Sequence, residues 1–396
     1  MKILVVSSNI LPQTGGSSEI IENLSKNFDR ESMVVLGSKG IHTTGQIRRE
    51  PNSPKFYQFF SELSIFGRGA RFFDWFRKWR FEKLVKFIRR IIDQEEITNV
   101  IGVYPNEYYC LAACRAAHSS DISFSSYFHN TYVENSAIDK RIANPVQNEI
   151  FSCSEHIFVM SKGMESYYKR KYNLQKFKPL VHTFNTFPHE ESFTGVPGEL
   201  KEVYRLVAIG NFNQSNVDAT RRLIRAIKHH PKYELTIYTP VPKWLLAQRG
   251  LDVEAFEYRE AIPPEHIHNE LQKYDLAVLT HGFTGGYGDI EYQTIFPTRT
   301  IPLLLGGKPI LAHSPPGSFL NEFLSQNQCA ELVDSIEARD ILIGLNKISS
   351  SHSYQEFLVR KAHEASTRFY GPNVAKQLRK TLNDPHYAGD IQKHMV

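Results

Sequence analysis

Cysteine is scarce in this sequence. Four cysteines occur in 396 residues, and none forms a Cys-x-x-Cys pair. Structural zinc sites are usually built from two closely spaced pairs of Cys or His ligands, so the sequence predicts no metal site. Cys110 and Cys114 lie four residues apart, which predicts that they share one face of a helix. We expect buried free thiols, as in proteins of a reducing compartment.

Long apolar runs are also missing. No segment approaches the roughly 20 apolar residues that a membrane-spanning helix needs. The apolar run at the N-terminus, MKILVVSS, is too short for the core of a signal peptide and predicts a first buried strand. A cytoplasmic protein is therefore expected. The net charge of +5 is too mild for this length to indicate a nucleic-acid partner, and no nucleic-acid-binding module accompanies it.

Short apolar segments alternate with amphipathic segments along the whole chain. This alternation predicts right-handed crossovers and mostly parallel sheets, that is, an α/β fold of two doubly wound Rossmann-like domains. A stretch rich in Pro, Gly and acidic residues, 187–203, is the predicted linker. We therefore expect one domain at 1–190 and a second at 204–372, with a helix at about 373–396 that packs back onto the first. Predicted strands lie at 2–6, 32–38, 97–105, 122–128, 156–161, 178–185, 204–211, 233–239, 275–280 and 308–314.

A glycine loop follows the first predicted strand. Gly15 and Gly16 permit close approach of the backbone to a ligand, and Ser17 or Ser18 can cap the next helix. The loop contains neither the Gly-x-Gly-x-x-Gly fingerprint nor a Gly-Lys-Ser/Thr P-loop, which excludes the two commonest nucleotide-binding loops. A simple flexible turn is the alternative. The loop nevertheless lies at the carboxyl end of a strand, where ligands of α/β proteins bind.

Five segments together resemble a GT-B glycosyltransferase, specifically the large retaining family called glycosyltransferase group 1, or family 4. They occur in the family's order and are spread from residue 1 to residue 312, so that the resemblance extends over most of the chain, although each is only moderately specific alone. The resemblance implies an acceptor domain at 1–190, a nucleotide-sugar donor domain at 204–372, and a reaction in the cleft between them. The segments are MKILVVSSNILPQTGGSSEIIENLSKNF (1–28), SYFHN (126–130), FVMSKGMESYYKRKY (158–172), LVAIGNFNQSNVDATRRLIRAI (206–227) and DLAVLTHGFTGGYGDIEYQTIFPTRTIPLLLGGKPILA (275–312).

The resemblance assigns roles to residues of the first domain. Gly15 and Gly16 match the family's glycine loop near the donor diphosphate and the acceptor. His129 directly follows a predicted strand and matches a histidine that faces the transferred sugar. An imidazole at that place can bind a sugar hydroxyl or carry a proton. The alternative is a structural hydrogen bond made by a buried histidine.

The second domain departs from the family at its donor-binding positions. After Gly210 the family has an Arg, and five residues later a Lys, both of which stabilise the leaving diphosphate; here these positions are Asn211 and Asn216. The ribose-binding Glu is replaced by Pro302, and a second acidic position falls on Thr294. Losing these charged groups is expected to weaken donor binding and slow departure of the leaving group, because charge-assisted hydrogen bonds contribute about 1.5–3 kcal/mol each.

Other residues can take over part of the lost contacts. Thr298 and Arg299 match a Ser/Thr-Lys/Arg pair in family members, and Thr300 opens the following helix, whose backbone N–H groups would add positive charge. Because proline fits only the first turn of a helix, Pro302 predicts that this helix starts at or just before Thr300. A solvated cation is the alternative for Arg299. Asp289 and Glu291 are candidate replacements for the ribose carboxylate.

A basic aromatic segment, 68–90, combines nine Lys or Arg residues with only two acidic residues. Its aromatic side chains can line one face of a helix. That combination suits the surface of an anionic membrane, where lipid-linked acceptors are found. The alternative is that the aromatic residues pack on the first domain while the cations are solvated.

The sequence thus predicts a cytoplasmic glycosyltransferase that moves a sugar from a nucleotide-sugar donor to a glycan, lipid-linked or small-molecule acceptor. Peripheral contact with the inner face of a membrane is the hypothesis for segment 68–90. If it behaves as the family does, the enzyme is retaining, needs no metal and has no cofactor besides its donor. A non-catalytic GT-B protein that binds a glycan, nucleotide or protein partner is the alternative, and the neutral residues at the donor positions support it. A GT-B epimerase would need a cluster of acids and bases that the sequence does not show.

Overall fold

The structure is a computed structural model. It divides into two compact units. Unit 1 comprises Met1–Val133, Ile138–Asn185 and Phe369–Val396; unit 2 comprises Glu134–Ala137 and Thr186–Arg368. The described residues are 1–11, 13, 15–39, 51–60, 70–135, 138–174, 176–179, 200–263, 266–283 and 288–383, with the backbone alone at 70–75, 77, 78 and 177–179. Residues 187–199 of the predicted linker and 384–396 of the predicted last helix lie outside this description.

Unit 1 is built on a seven-stranded sheet in which every pair of neighbouring strands is parallel. The strands are β1 (Ile3–Val6), β2 (Met33–Ser38), β3 (Lys55–Phe59), β4 (Asn99–Tyr104), β5 (Ser123–Phe128), β6 (His156–Val159) and β7 (Phe177–Pro179). Their order is β3-β2-β1-β4-β5-β6-β7. Strands are thus added to one side of β1 first and to its other side from β4 onwards. The carboxyl ends of β1 and β4 are therefore the topological switch point of the sheet.

The helices of unit 1 connect successive strands. They are α1 (Gly16–Ser25), α2 (Ala70–Gln94), α3 (Glu107–Ser119), α4 (Lys140–Cys153) and α5 (Lys162–Tyr172). Side chains set the starts of three of them: Asn106, Asp139 and Ser161 each accept a hydrogen bond from a backbone N–H of the first turn of α3, α4 and α5 respectively. Such caps satisfy donors that the helix itself cannot pair.

Unit 2 repeats the same plan with a six-stranded parallel sheet. Its strands are β8 (Tyr204–Ile209), β9 (Tyr233–Thr239), β10 (Glu257–Glu260), β11 (Leu276–Thr280), β12 (Ile310–His313) and β13 (Glu331–Val333). The order is β10-β9-β8-β11-β12-β13, with the switch point between β8 and β11. Its helices are α6 (Val217–Ile227), α7 (Lys243–Gln248), α8 (Ile267–Leu271), α9 (Asp289–Thr294), α10 (Thr300–Leu305), α11 (Phe319–Asn327), α12 (Ala338–Ser349) and α13 (His352–Ser366).

The last described helix belongs to unit 1. A short 3₁₀ turn, Thr367–Phe369, separates α13 from α14 (Gly371–Asn383). Val374 and Leu378 of α14 are buried in one apolar core with Ile20 and Leu24 of α1. The burial of these side chains, rather than local helix propensity, holds the C-terminal helix against α1.

The fold confirms the predicted α/β class with two doubly wound Rossmann-like halves. The thiols of Cys110, Cys114 and Cys329 are free and buried, and Cys153 is half-buried. Burial raises the pKa of the Cys110 thiol well above its usual range, so this thiol is unreactive. Among the described residues, no helix has an apolar stretch long enough to cross a bilayer.

Candidate functional site

The candidate site of unit 2 lies where β8 and β11 end. Gly210 directly follows β8 with a φ of 137°, a value that favours glycine, and Thr280 is the last residue of β11. The Thr280 hydroxyl is 2.8 Å from the Thr220 hydroxyl in the first turns of α6. This bond ties α6 to the end of β11. We call Gly210, Asn216, Thr280, His281, Arg299 and Thr300 the switch-point cluster.

Arg299 is the cation of the switch-point cluster. It is half-buried, and its Nη2 donates a 2.7 Å hydrogen bond to the carbonyl oxygen of Thr280. Its stem lies against Gly210, where an added Cβ would be only 3.1 Å from the Arg299 Cδ. Burial lowers the pKa of Arg299 to about 10, and no described acidic side chain lies within 4 Å of its guanidinium as an ion-pair partner. A desolvated cation without a counter-ion is suited to bind an anionic ligand.

The start of α10 agrees with one part of the sequence prediction and corrects another. As Pro302 indicated, the helix begins at Thr300, with Arg299 as its N-cap. However, the N–H of Thr300 already donates to Pro297 O (2.9 Å) and that of Ile301 to Thr298 O (3.2 Å). The preceding turn therefore engages these two N–H groups, and their role towards an anion stays a prediction. The solvated-cation alternative for Arg299 does not hold, since its side chain packs on Gly210.

The loop from β8 to α6 carries the two asparagines that stand at the family's Arg and Lys positions. Asn211 is exposed, and its carbonyl oxygen accepts a hydrogen bond from Arg249. Asn216 is the N-cap of α6, but its side chain makes no capping bond. It is fully buried, and both of its amide atoms lack a partner among the described residues. The two positions therefore differ sharply in environment.

Two loops of unit 2 are joined beside Asn216. The N–H of Gly282 donates a 2.7 Å hydrogen bond to Ser215 O, and the N–H of Phe283 donates to Asp218 Oδ2 at 3.0 Å. Asp218 Oδ2 also accepts from Arg222 Nη2 at 3.1 Å. Asp218 thus fixes the segment after β11 against the first turn of α6. Asp218 was not predicted as a site residue from the sequence, although an Asp in the first turn of a helix commonly accepts such hydrogen bonds.

Two histidines at strand ends were also missed. His281 follows β11 and His313 ends β12; both are buried, and burial lowers the pKa of each to about 4. His313 uses both nitrogens: Nδ1 lies 2.9 Å from Val333 O, and Nε2 accepts from Arg222 at 2.9 Å. His281 Nε2 lies 3.1 Å from Tyr292 O. The signal that could have found His281 is its place directly after a strand that ends at the switch point.

The candidate replacements for the ribose carboxylate lie in the first turn of α9. Asp289 is exposed and Glu291 is buried. The next residue, Tyr292, donates its hydroxyl to Gln214 O at 2.9 Å, so α9 is fixed against the loop that leads to α6. Their assignment as donor-binding residues remains a prediction. Pro302 occupies the third position of α10.

In unit 1 the structure brings the glycine loop and the predicted histidine together. His129 follows β5 and is buried, and its Nδ1 lies 3.0 Å from the Ser17 hydroxyl in the first turn of α1. Gly15 precedes α1 with a φ of 150°, and nothing lies within 4 Å of the place where its Cβ would be. Gly16 is the first residue of the helix. The imidazole therefore braces the loop at the end of β1, whatever further role it has.

The basic aromatic segment forms the amphipathic helix α2. Its described buried positions repeat with helical spacing: Phe81, Leu84, Ile88, Ile91 and Ile92. Phe76 and Trp79, in contrast, are 37% and 48% exposed and stack with ring centroids 5.7 Å apart. The Lys83 ammonium lies 3.5 Å from the Trp79 ring centroid. Phe76 and Trp79 are therefore not packed into unit 1, contrary to the alternative stated for the aromatic residues. The side chains of Phe72 and Trp75 lie outside the described part of the chain.

No group of three or more His, Cys, Asp or Glu side chains in the described parts of either unit is arranged to hold a metal ion. No protein-family model and no curated protein matches the sequence.

Solved structures match the fold of the whole chain. Sucrose-phosphate synthase from Thermosynechococcus elongatus superposes with a TM-score of 0.70 at 12% identity, covering 97% of this chain and 98% of that chain. HepE from Anabaena in complex with UDP and glucose gives 0.69 at 14% identity over 97% and 99%. The lipopolysaccharide outer core galactosyltransferase WaaB in its apo form gives 0.60 at 14% identity over 97% and 99%. The likeness suggested by the sequence motifs therefore extends to the structure, and the chain has the GT-B fold of these glycosyltransferases.

Proposed function

We propose that this chain is a glycosyltransferase that moves a sugar from a nucleotide-sugar donor to an acceptor hydroxyl. The observation that carries the proposal is Arg299, a desolvated cation at the switch point of a Rossmann sheet with no acidic partner among the described residues. A diphosphate leaving group gains negative charge as its bond to the sugar breaks, and a guanidinium can bind two of its oxygens. The solved HepE structure with UDP and glucose, and the galactosyltransferase WaaB, have the same fold.

The roles of the other residues follow from their places. In this proposal Gly210, Thr298, Arg299 and Thr300 contact the donor in unit 2, and Arg299 stabilises the departing diphosphate. Gly15 and Gly16 leave room for donor and acceptor in unit 1, and His129 binds a hydroxyl of the transferred sugar. The reaction retains the anomeric configuration and needs no metal, as in the family that the sequence resembles.

Nucleotide binding is the first test. Thermal shift and calorimetry with UDP, ADP, GDP, dTDP and their sugar derivatives should identify one nucleotide that stabilises the protein. Release of that nucleotide from its sugar derivative, first to water and then to candidate acceptors, measures transfer. If no nucleotide or nucleotide sugar binds, the proposal is wrong. Binding without any release of nucleotide would instead support a non-catalytic GT-B binding protein.

The exposed face of α2 favours an acceptor at an anionic membrane. An exposed, stacked aromatic pair can insert at the headgroup level, and the cations beside it are attracted to anionic lipids. Phe76 and Trp79 form the pair, and the exposed cations Lys83, Lys86, Arg89 and Arg90 continue along the same helix. This combination supports a lipid-linked acceptor over a soluble one.

Sedimentation with liposomes tests this part separately. The protein should pellet with vesicles containing anionic lipid and not with neutral vesicles, and the Phe76→Ala, Trp79→Ala variant should remain in the supernatant. Trp244→Ala is the matched control, because Trp244 is also an exposed tryptophan, 68% exposed, and belongs to α7 of unit 2 rather than to α2. Equal pelleting of both variants would exclude α2 as the membrane contact without touching the transferase proposal.

A further inference from the structure

Three buried side chains of the switch-point cluster carry polar atoms that have no partner in the described part of the chain. They are the amide of Asn216, Nδ1 of His281 and the hydroxyl of Thr300, and none of these residues is more than 1% exposed. Buried polar atoms are nearly always paired in folded proteins, and exceptions are concentrated where a ligand or an ordered water completes them. Their concentration beside Arg299 therefore points to a ligand.

Backbone contacts place these groups close together. The N–H of Gly282 donates a hydrogen bond to Ser215 O. His281 precedes the donor and Asn216 follows the acceptor, so the backbones of these two residues are close together. Arg299 Nη2 is bonded to Thr280 O, the residue before His281. The unpartnered groups thus belong to segments that adjoin Arg299, the residue that the proposed function assigns to the diphosphate.

The tautomer of His281 follows from its one contact. Nε2 faces the carbonyl oxygen of Tyr292 at 3.1 Å, and a carbonyl can only accept, so Nε2 carries the proton. Nδ1 then presents a lone pair. A lone pair repels a phosphate oxygen but accepts a hydrogen bond from a hydroxyl. His313 provides the contrast within the same sheet, because its second nitrogen is already filled by Arg222.

We propose that Asn216 and His281 form a neutral subsite that binds a hydroxyl group of the donor, next to the guanidinium that binds its diphosphate. The inference rests on the proposed function. Pro302 stands where the resembling family has its ribose-binding carboxylate, so the donor loses one hydroxyl acceptor there; His281 Nδ1 supplies another, and the Asn216 amide both donates and accepts. The hydroxyl belongs either to the ribose or to the transferred sugar, since both offer the same chemistry.

Calorimetry with hydroxyl-deleted ligands tests the subsite. UDP, 2′-deoxy-UDP, 3′-deoxy-UDP and UDP-glucose are compared on the wild type, His281→Phe, His281→Asn and Asn216→Ala, or the same set of another base if the nucleotide panel selects one. In the wild type a hydroxyl deletion should weaken binding about tenfold. His281→Phe should abolish that difference, and His281→Asn, which can restore an acceptor near the Nδ1 position, should recover it.

The arms distinguish the source of the hydroxyl. If the variants no longer bind UDP more tightly than a deoxy-UDP, the hydroxyl belongs to the ribose. If the variants no longer bind UDP-glucose more tightly than UDP, the hydroxyl belongs to the transferred sugar. Circular dichroism checks that each variant is folded, and Asn216→Ala supplies a second reading if His281→Phe is not. If both variants keep every wild-type ratio, the subsite does not exist. If the wild type binds no nucleotide at all, it is the proposed function that fails.

Discussion

Replacing Arg299 by Met separates its role in binding from any role in stability. The change keeps most of the aliphatic stem against Gly210 and removes the guanidinium. Burial lowers the pKa of Arg299 to about 10, well below the usual value of a guanidinium, so the charged group costs the folded state up to about 3 kcal/mol, at about 1.4 kcal/mol for each pKa unit. Solvent screening at this half-buried side chain reduces that cost to about 1–2 kcal/mol.

The substitution also removes the hydrogen bond to Thr280, and bonds of this charged kind contribute about 1.5–3 kcal/mol. The two effects partly cancel, so Arg299→Met should lower the free energy of unfolding by about 1 kcal/mol and by at most about 2 kcal/mol. The free energy of nucleotide binding has no compensating gain when the guanidinium is removed. Loss of one charge-assisted contact of about 1.5–3 kcal/mol should weaken the affinity about 10- to 150-fold.

Urea unfolding followed by circular dichroism and calorimetry with the bound nucleotide measure the two quantities at pH 7.5. Arg222→Met is the matched control, because Arg222 is also half-buried but is paired with Asp218 and His313. Removing it takes the ion-pair partner Arg222 away from the half-buried Asp218 carboxylate and the donor away from His313 Nε2, and should cost about 2–4 kcal/mol of stability. If Arg299→Met destabilises the protein by as much as Arg222→Met while nucleotide affinity is unchanged, Arg299 is a structural residue and does not bind the nucleotide.

Three further perturbations have defined outcomes. The pKa values of His281 and His313 are lowered from 6.5 to about 4 in the folded protein, so between these pH values only the unfolded chain takes up the two protons. The free energy of unfolding should therefore be highest above pH 6.5 and fall by up to about 3 kcal/mol per histidine towards pH 4. Urea midpoints that do not change with pH would contradict this. In Gly282→Ala the new Cβ would lie 2.6 Å from Ser215 O and push the two loops apart, so calorimetry should show weaker nucleotide binding together with a stability loss of about 1–3 kcal/mol. Glu95 accepts hydrogen bonds from two lysines and a tyrosine, and these bonds lower its pKa to about 2 against the effect of burial. Its contribution to the free energy of unfolding is therefore present above pH 4.5 and is lost as the pH falls through 2. Glu95→Gln should cost about 2–3 kcal/mol in urea unfolding at pH 7 and a negligible amount near pH 2.

The interior of the fold could be predicted from the sequence because its strands are buried on both faces. β1, β4 and β8 consist almost entirely of apolar residues, and the predicted segments contain their observed bounds. The edge strands β3 and β10 were not predicted. Both are short and largely exposed or half-buried, so they lack the continuous apolar pattern of a central strand, and pairing with a neighbour creates them.

The candidate site could be predicted only in part, for a similar reason. Pro302 fixed the start of α10 and thereby the place of Arg299, since a proline's missing N–H is a local property. The partners of Arg299 and His281 come from other elements of unit 2, and their geometry follows from the sheet rather than from neighbouring residues. The hydrogen bonds of the Thr300 and Ile301 N–H groups could not be predicted either. Their acceptors are the carbonyl oxygens of Pro297 and Thr298, and the sequence does not show that these two carbonyls turn towards the helix.

We interpret the departures from the resembling family as one coupled change rather than three separate losses. In that family the positions of Asn211, Asn216 and Pro302 hold two cations and one carboxylate. A carboxylate kept without its cations would add negative charge to a site that is proposed to bind a diphosphate, and like charges repel. With all three positions neutral, we expect Arg299 to supply the positive charge for the diphosphate. Hydroxyl recognition then has to come from neutral acceptors, and the buried Nδ1 of His281 and the Asn216 amide are groups of that kind beside the guanidinium.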